Sequence, residues 1–132
     1  MRLLLDTHVW LWSLADPSKL GKRVTTALAR SENELWLSPI SVWEVLVLAE
    51  RGRVKLDAEP RKWVAEALSR TPAQEALLSF EVALRSREIL PMHTDPADRF
   101  LVATALIYDL TLVTADDAMI KARACPILAL RP

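Results

Sequence analysis

Four acidic residues, far apart in the chain, have residue types and positions that could bind a cation. Asp6 and Asp116 each follow a short apolar run and are expected to close a buried β-strand. Glu44 and Asp98 lie near the starts of the two most apolar helical stretches. The carboxyl ends of strands and the amino ends of helices meet at one edge of an α/β sheet, where ligands bind.

Carboxylates that share one site repel each other unless a cation or a proton offsets their charge. Ligand sets made only of oxygen select hard cations such as Mg²⁺ or Mn²⁺, and carboxylate-bound Mg²⁺ keeps several waters and takes phosphate oxygens as further ligands. Two such ions about 3.5–4 Å apart would lower the pKa of an attacking water and stabilise the leaving oxygen. The pattern therefore favours phosphodiester hydrolysis without a covalent enzyme intermediate.

Each of these acids also has a purely structural interpretation. Asp6 and Asp116 are of the residue type that caps the amino terminus of a helix. Glu44 follows Ser41 by three residues, which is the capping-box spacing, and for this residue alone capping is favoured. Asp98 would stabilise the dipole of its helix from the first turn. A functional site is favoured because all four positions fall at one edge of the predicted sheet.

Two further charged residues accompany Asp98. Asp95 precedes Pro96 as a predicted N-cap and lies one helical turn before Asp98, so the two carboxylates repel each other. A cation beside them would relieve that repulsion. Arg99 follows directly and could be that cation, or could face a phosphate.

The composition shows no bias toward a particular partner. Of the 132 residues 52% are hydrophobic and 26% charged, and Lys+Arg equal Asp+Glu at 17 each. No net field attracts nucleic acid, although a basic rim around an acidic centre would still do so. Cys125 is the only cysteine, which excludes a disulfide framework and a cysteine-based zinc site. His8 and His93 are the only histidines, and helix packing is the favoured role of both.

The residues at the amino terminus do not have the pattern of a targeting signal. Asp6 and His8 come too early for a signal peptide or an anchor, and no apolar run approaches the roughly 20 residues of a membrane span. We therefore expect a cytoplasmic protein with no membrane association. Five tryptophans suggest that some apolar surface lies in a protein interface, although filling of the core is the favoured role for most of them.

Strands that alternate with helices predict a parallel sheet between two helical layers. The predicted strands are 2–5, 34–38, 76–79, 110–114 and 127–130. The predicted helices are 7–14, 22–31, 41–51, 58–70, 80–90, 96–108 and 118–123. Gly52 suits the position after the third helix. We expect one α/β domain over residues 1–132, with a central sheet of about five strands.

Four segments, taken in order, resemble the PIN-domain ribonucleases, and in particular the VapC-type toxins of bacterial toxin–antitoxin pairs. They are Leu-Leu-Leu-Asp6-Thr7-His8-Val9-Trp10-Leu-Trp, Ser38-Pro-Ile-Ser41-Val-Trp-Glu44, Asp95-Pro-Ala-Asp98-Arg99-Phe-Leu-Val-Ala-Thr-Ala and Leu-Val-Thr114-Ala-Asp116. One such motif is weak, but four in order at these spacings are specific, and they span the chain. The resemblance implies a three-layer α/β/α fold and an endoribonuclease that depends on Mg²⁺ or Mn²⁺.

The resemblance also assigns roles to residues and implies partners. It places the catalytic, metal-binding acids at Asp6, Glu44, Asp98 and Asp116. Asp95 matches an extra acidic position, Thr114 matches a hydroxyl position two residues before the last acid, and Asp117 is kept as a supporting candidate outside the pattern. The partners implied are an RNA substrate, a cognate antitoxin and a second copy of the chain, in a homodimer and a toxin–antitoxin hetero-oligomer.

Two other functions compete with this one. A haloacid-dehalogenase-like phosphatase would use Asp6, Ser38 and the pair Asp116-Asp117, but it needs a second aspartate where this chain has His8. It would also leave two of the acids without a role. A PIN-like scaffold that binds RNA or protein without cleavage is the other alternative, and the complete acidic set argues against it.

Basic residues around the acidic edge are candidates for RNA contacts, although a solvated surface role is favoured for each one alone. These candidates are Arg51, Arg53, Lys55, Arg61, Lys62 and Arg99. If several of them contact phosphates, RNA affinity should fall steeply as salt is added.

Overall fold

Strands and helices alternate along the chain in this computed structural model, which describes residues 1–89 and 95–130. The strands are β1 (Arg2–Leu5), β2 (Glu34–Leu37), β3 (Ala73–Glu75), β4 (Thr111–Thr114) and β5 (Ile127–Ala129). The helices are α1 (Thr7–Ala15), α2 (Gly21–Ala29), α3 (Pro39–Glu50), α4 (Pro60–Ser69), α5 (Phe80–Glu88), α6 (Pro96–Tyr108) and α7 (Asp117–Ala122). A 3₁₀ turn over Pro17–Leu20, which the sequence did not predict, joins α1 to α2.

The five strands form one sheet in the order β3-β2-β1-β4-β5, and every neighbouring pair is parallel. The predicted parallel sheet of about five strands is thereby confirmed. From β1 the chain moves to β2 and β3 on one side, whereas β4 and β5 are added on the other side. The strand order thus reverses between β1 and β4, and a crevice at the carboxyl ends of these two strands is the expected ligand site.

Successive residues of the central strands face opposite helical layers. Leu4 and Leu112 belong to a core built with α5, α6 and α7. Leu3, Leu5 and Val113 belong to a second core, packed by α1, α2 and α4 on the other face. All five side chains are buried, and burial of each leucine contributes about 1.5–3 kcal/mol. The sheet therefore lies between two helical layers, which confirms the predicted three-layer α/β/α fold.

The prediction of the third strand is wrong. The sequence predicts a strand over 76–79, which contains the apolar residues Ala76, Leu77 and Leu78, whereas β3 is Ala73–Glu75. Leu77 and Leu78 are exposed instead. β3 lies at the edge of the sheet beside β2, where a short strand with polar residues is tolerated and discourages pairing with another chain.

The predicted start of the third helix is also wrong. α3 begins at Pro39, and its N-cap is Ser38, whose Oγ accepts a hydrogen bond from the Ile40 amide at 3.0 Å. Proline suits the first helical position because that amide needs no partner inside the helix. Ser41 is consequently the third residue of α3 and not its cap, so Ser41 and Glu44 do not form a capping box.

The end of α3 agrees with the sequence. Gly52 has a φ of 71°, a left-handed conformation that costs glycine little. Its amide donates to the Ala49 carbonyl at 3.1 Å, and the Arg53 amide donates to the Leu48 carbonyl at 2.9 Å. This pair of hydrogen bonds is a Schellman motif. The remaining predicted elements lie within about two residues of the observed bounds, which is the usual uncertainty of helix and strand ends.

Three other expectations concern membrane spans, the role of His93 and the number of domains. Within residues 1–89 and 95–130, no helix has both the length and the apolar character needed to span a bilayer. His93 lies outside the described residues, so its role in helix packing stays a prediction. The assignment of residues 1–132 to a single domain stays a prediction as well.

Candidate metal centre

The topology places the four candidate acids at the carboxyl edge of the sheet. Asp6 directly follows β1, and its amide donates to the Val113 carbonyl of β4 at 3.0 Å. Asp116 follows β4, and Glu44 lies on the helix that follows β2. Helix α6 ends just before β4 begins, so its carboxyl end lies at the amino edge of the sheet. The first turn of α6, which contains Asp98, therefore lies at the carboxyl edge.

A buried threonine links Asp6 to Asp116. The Thr114 hydroxyl donates to Asp6 Oδ2 at 2.6 Å, and its oxygen accepts a hydrogen bond from the Asp116 amide at 3.0 Å. The other carboxylate oxygen of Asp6, Oδ1, accepts from the Thr7 amide at 2.7 Å. Both threonines are inaccessible to solvent, so the Asp6 carboxylate is held in one orientation.

A second threonine holds Glu44. Thr7 Oγ1 donates to Glu44 Oε1 at 2.5 Å and also hydrogen-bonds Ser41 Oγ at 3.0 Å. Ser41 and Glu44 are three residues apart, hence on one face of α3. Sequence reasoning missed this role of Thr7 and Ser41. The signal was present, because both residues lie inside the motifs that carry the family resemblance.

The electrostatics of Asp6 and Glu44 follow from their burial. Burial raises the pKa of Asp6, and the hydrogen bonds from Thr114 and Thr7 only partly oppose it. Burial also raises the pKa of Glu44, against the hydrogen bond from Thr7, and the charge of Asp6 adds to the rise. Each carboxylate therefore loses hydration that its hydrogen bonds do not fully replace.

Asp98 shows that the acids share one electrostatic environment. Burial, followed by the charges of four other carboxylates, raises its pKa to about 8. Those four are Asp95, Asp6, Asp116 and Glu44. The structure thus brings together the negative charges of residues that lie more than 100 positions apart in the chain, and Asp98 keeps its proton to a higher pH than an ordinary aspartate.

The capping interpretations of three acids are correct and do not compete with a site. Asp6, Asp95 and Asp116 are the N-caps of α1, α6 and α7, and each accepts a backbone hydrogen bond from its own helix. Helix amino termini carry a partial positive charge. Three of them at this edge offset part of the repulsion between the carboxylates, so capping and charge collection occur at the same positions.

The donor set suits a hard cation. Within residues 1–89 and 95–130, no three His, Cys, Asp or Glu side chains approach closely enough to enclose a metal ion by themselves. Mg²⁺ has no need of such a cage, because it keeps several waters and is held by one or two carboxylates together with substrate phosphates. The oxygen donors and the unrelieved negative charge at this edge therefore fit Mg²⁺ or Mn²⁺.

The supporting candidates lie in different surroundings. The Asp95 carboxylate accepts a hydrogen bond from the Asp98 amide at 3.2 Å. Its negative charge therefore lies beside Asp98 and helps to raise the pKa of Asp98. Asp117 is the first residue of α7 and is exposed. Among the described contacts, no hydrogen bond or ion pair connects Asp117 to the four acids.

The burial of Arg99 argues against the RNA contact for which it was a candidate. Its side chain is only 6% exposed, with Nε donating to the Ser86 carbonyl and Nη2 to the Ile89 carbonyl, both at 2.8 Å. These carbonyls lie at the carboxyl end of α5 and have no partner inside that helix. Arg99 therefore ties the end of α5 to α6. The other candidates for RNA contacts, Arg51, Arg53, Lys55, Arg61 and Lys62, are exposed.

Two residues of the rival interpretations have structural surroundings of their own. Ser38, the hydroxyl that a phosphatase of the dehalogenase type would use, is 1% exposed and is engaged as the cap of α3. His8 is exposed on α1, with its ring centroid 5.8 Å from that of Trp12. Neither arrangement supports a covalent aspartyl-phosphate mechanism at Asp6.

Comparison with known proteins gives matches over most of the chain. The family model of the PIN domain matches residues 3–124. Ribonuclease VapC22 of Mycobacterium tuberculosis is 33% identical over 117 residues, which cover 86% of each chain. Solved structures with the same fold include the DNA-bound VapBC2 of Rickettsia felis, with a TM-score of 0.73, 15% identity and 98% of each chain covered. FitAcB of Neisseria gonorrhoeae gives a TM-score of 0.66, with 20% identity and 97% of each chain covered.

Proposed function

The chain belongs to the PIN-domain family, as a homologue of the VapC-type ribonuclease toxins of toxin–antitoxin systems, and we propose that its four edge acids hydrolyse RNA with Mg²⁺ or Mn²⁺. One observation carries this proposal. The charges of Asp6, Glu44 and Asp116 all act on Asp98, although the four residues are remote in sequence. Such shared negative charge disfavours the metal-free state and is a common property of functional sites.

In this proposal Asp6, Glu44, Asp98 and Asp116 hold the cation. The ion, when bound, supplies positive charge for the phosphate oxygens and a water that loses its proton near neutral pH. Asp98 would hold the ion as a carboxylate and would have to give up its proton to do so, because a ligand carboxylate must be ionised. The role of each acid as a ligand is an expectation drawn from the family pattern and supported by this shared charge.

The surrounding residues orient the acids. Thr114 fixes one oxygen of Asp6, and Thr7 fixes one oxygen of Glu44, by the hydrogen bonds described above. Groups of this kind set the direction of a ligand and typically change metal affinity or activity by about 10–100-fold. In the hydrolysis itself, the oxygen of water bonds to phosphorus, one P–O bond of the RNA breaks, and the proton of the water goes to the leaving oxygen.

The proposal includes partners. Chains of the same fold occur in solved structures described as VapBC and FitAB, and one is described as a toxin–antitoxin complex from Klebsiella pneumoniae. We propose that this chain likewise binds an antitoxin and also forms a homodimer, in the cytoplasm where RNA is available. Phe80, 92% exposed, and the exposed Trp43 leave apolar surface for such contacts.

The test combines metal binding with cleavage. Purified chain should cleave total RNA in Mg²⁺, and EDTA should stop the reaction. Titration with Mg²⁺ in a calorimeter should give a binding signal, and added Mg²⁺ should raise the melting temperature, since a ligand bound only by the folded state stabilises it. A non-catalytic scaffold should show neither RNA cleavage nor Mg²⁺ binding. If the chain shows neither, the proposed nuclease is rejected.

A further inference from the structure

A cleft of about 670 Å³ opens beside the acids. It lies between α1, α4 and the connection that precedes α4, and its lining begins at His8, two residues after Asp6. Along α1 the lining continues through Trp12 to Ala15. At about 1.5 Å per residue, this wall extends roughly 10 Å away from the acidic edge. None of the four acids lines the cleft, but His8 at its near end lies close enough for its charge to act on Asp6 and Glu44. The cleft therefore begins near the proposed active site and extends away from it.

The charge of the cleft is opposite to that of the acidic edge. Its lining contains four cationic residues and two acidic ones, whereas the chain as a whole has a formal net charge of zero. The cationic residues are Arg53, Lys55, Lys62 and Arg70. They come from the connection before α4 and from α4 and its end, so one wall of the cleft is basic while the site next to it is acidic.

Two tryptophans line the same cleft. Trp12 and Trp63 are half-buried, so each ring keeps solvent-accessible area. Trp63 packs edge-on against Trp10, at 6.0 Å between ring centroids, and Trp10 is fully buried, with its Nε1 donating to Thr71 at 2.9 Å. These contacts fix the orientation of Trp63 before any ligand binds.

We propose that this cleft binds a single-stranded segment of the RNA substrate next to the cleavage position. The inference rests on the proposed nuclease function for its substrate. A single strand carries phosphates that match Lys55 and Lys62, and flat bases that can stack on Trp12 or Trp63. An acidic peptide would match only the charge, and an apolar peptide would leave the cationic groups without partners.

The first test measures phosphate contacts. A labelled single-stranded RNA is titrated by fluorescence anisotropy in EDTA, so that no cleavage occurs, at several salt concentrations. We expect the double variant Lys55→Ala/Lys62→Ala to bind about tenfold more weakly, with a salt slope smaller by about 1.4, since each phosphate contact on a single strand contributes about 0.7. The matched control is Lys22→Ala/Arg30→Ala, which removes the same charge from a surface depression beside Met1 at the opposite edge. It should change affinity less than about twofold.

The second test measures stacking. Trp12→Leu should weaken binding roughly tenfold, whatever the base sequence, because stacking on an aromatic ring is tolerant of sequence. Trp12→Phe keeps a ring and should recover most of the affinity. Melting temperatures of both variants separate loss of binding from loss of fold, and the exposed lysines allow the first test to decide even if Trp12 variants unfold.

The outcomes separate this inference from the nuclease proposal. If the wild type cleaves RNA while the lysine and tryptophan variants bind and cleave like the control, the cleft assignment is wrong and the nuclease stands. If the variants lose RNA binding but the wild type does not cleave in Mg²⁺, the nuclease fails and the cleft stands. If the variants keep full RNA affinity and lose only a co-expressed protein partner, the cleft is a protein interface and our inference is overturned.

Discussion

Charged residues at the two edges of the sheet have opposite environments, although only the four residues of β1 separate Met1 from Asp6. At the amino edge, Arg2 pairs with Glu34 at 3.6 Å and lies 5.3 Å from the Trp36 ring centroid. Both members of that ion pair are well hydrated, with side chains 41% and 49% exposed. At the carboxyl edge, Asp6 is buried and Asp98 is partly buried, and their pKa values rise.

The charges at the two edges differ in their effect on the stability of the metal-free fold. Opposite charges in water at the amino edge contribute little and disturb little. Like charges that are partly buried at the carboxyl edge destabilise the metal-free fold, and the protein retains them nonetheless. Perturbed acids that cluster at a topological switch point are typical of function. The predictions below test this contrast, beginning with the largest expected effect.

Replacing Asp6 should have the largest effect. Asp6→Asn keeps a good N-cap for α1 but removes a charge, so folding should be preserved. RNA cleavage in Mg²⁺ should fall by at least about 100-fold, because even the residues that only orient a metal ligand contribute about 10–100-fold. The matched control is Asp16→Asn, at the other end of α1, which should cleave normally. Overexpressed Asp6→Asn should also no longer arrest growth, and full toxicity of this variant would refute the assignment.

The hydroxyl of Thr7 should matter next. Thr7→Val keeps the shape of the side chain but leaves Glu44 without the 2.5 Å hydrogen bond. We expect Mg²⁺ affinity, measured by calorimetry, to fall about tenfold, within the range seen for groups that orient ligands. Thr7→Ser restores the donor and should restore affinity. Equal losses in both variants would mean that Thr7 serves packing only.

The pH dependence of stability should differ between the edges. Because the pKa of Asp98 is about 8 in the folded chain and near 3.8 when unfolded, the folded state binds the extra proton between these values. The free energy of unfolding contributed by this group is therefore full below about pH 4 and is lost as pH rises toward 8.

Urea denaturation of the metal-free chain between pH 5 and 8 measures this loss. Asp98→Asn should flatten the decline, while Glu34→Gln at the amino edge should leave it unchanged. A decline that persists undiminished in Asp98→Asn would assign it to other groups.

The smallest effect should come from the amino edge. Glu34→Gln removes the charge that faces Arg2 across an exposed pair. The free energy of unfolding should change by less than about 1 kcal/mol, with RNA cleavage unaffected. If urea denaturation showed that the free energy of unfolding falls by several kcal/mol, the ion pair at the amino edge would contribute much more to stability than an exposed pair should.

Much of the fold was accessible from the chain alone. β1, α1 and α6 have strong local signals: a short, wholly apolar run, a helix that begins at an aspartate, and an Asp-Pro start. β3 lacked such a signal because an edge strand beside β2 buries little, so its residues need not be apolar. The predicted strand at 76–79 instead includes Leu77 and Leu78, which are apolar but exposed.

The environments of individual side chains were harder to predict. Arg99 follows Asp98 in sequence, yet successive helical residues point in directions about 100° apart, so it reaches the end of α5 instead of the acidic edge. For Glu44 taken alone, the sequence favours a capping box with Ser41, whereas the observed cap of α3 is Ser38. Pro39 at the first helical position favours the earlier start.

By itself, the sequence determined what local chemistry decides: the apolar strands, the helix starts at aspartates and serines, and the acids that carry the family resemblance. Only the tertiary structure decided which of those acids share charge and how each is held. The hydrogen bond from Thr114 to Asp6 joins residues 108 positions apart, and that from Thr7 to Glu44 joins residues 37 apart. Burial and mutual repulsion depend on such distances in space, which no local pattern of residues contains.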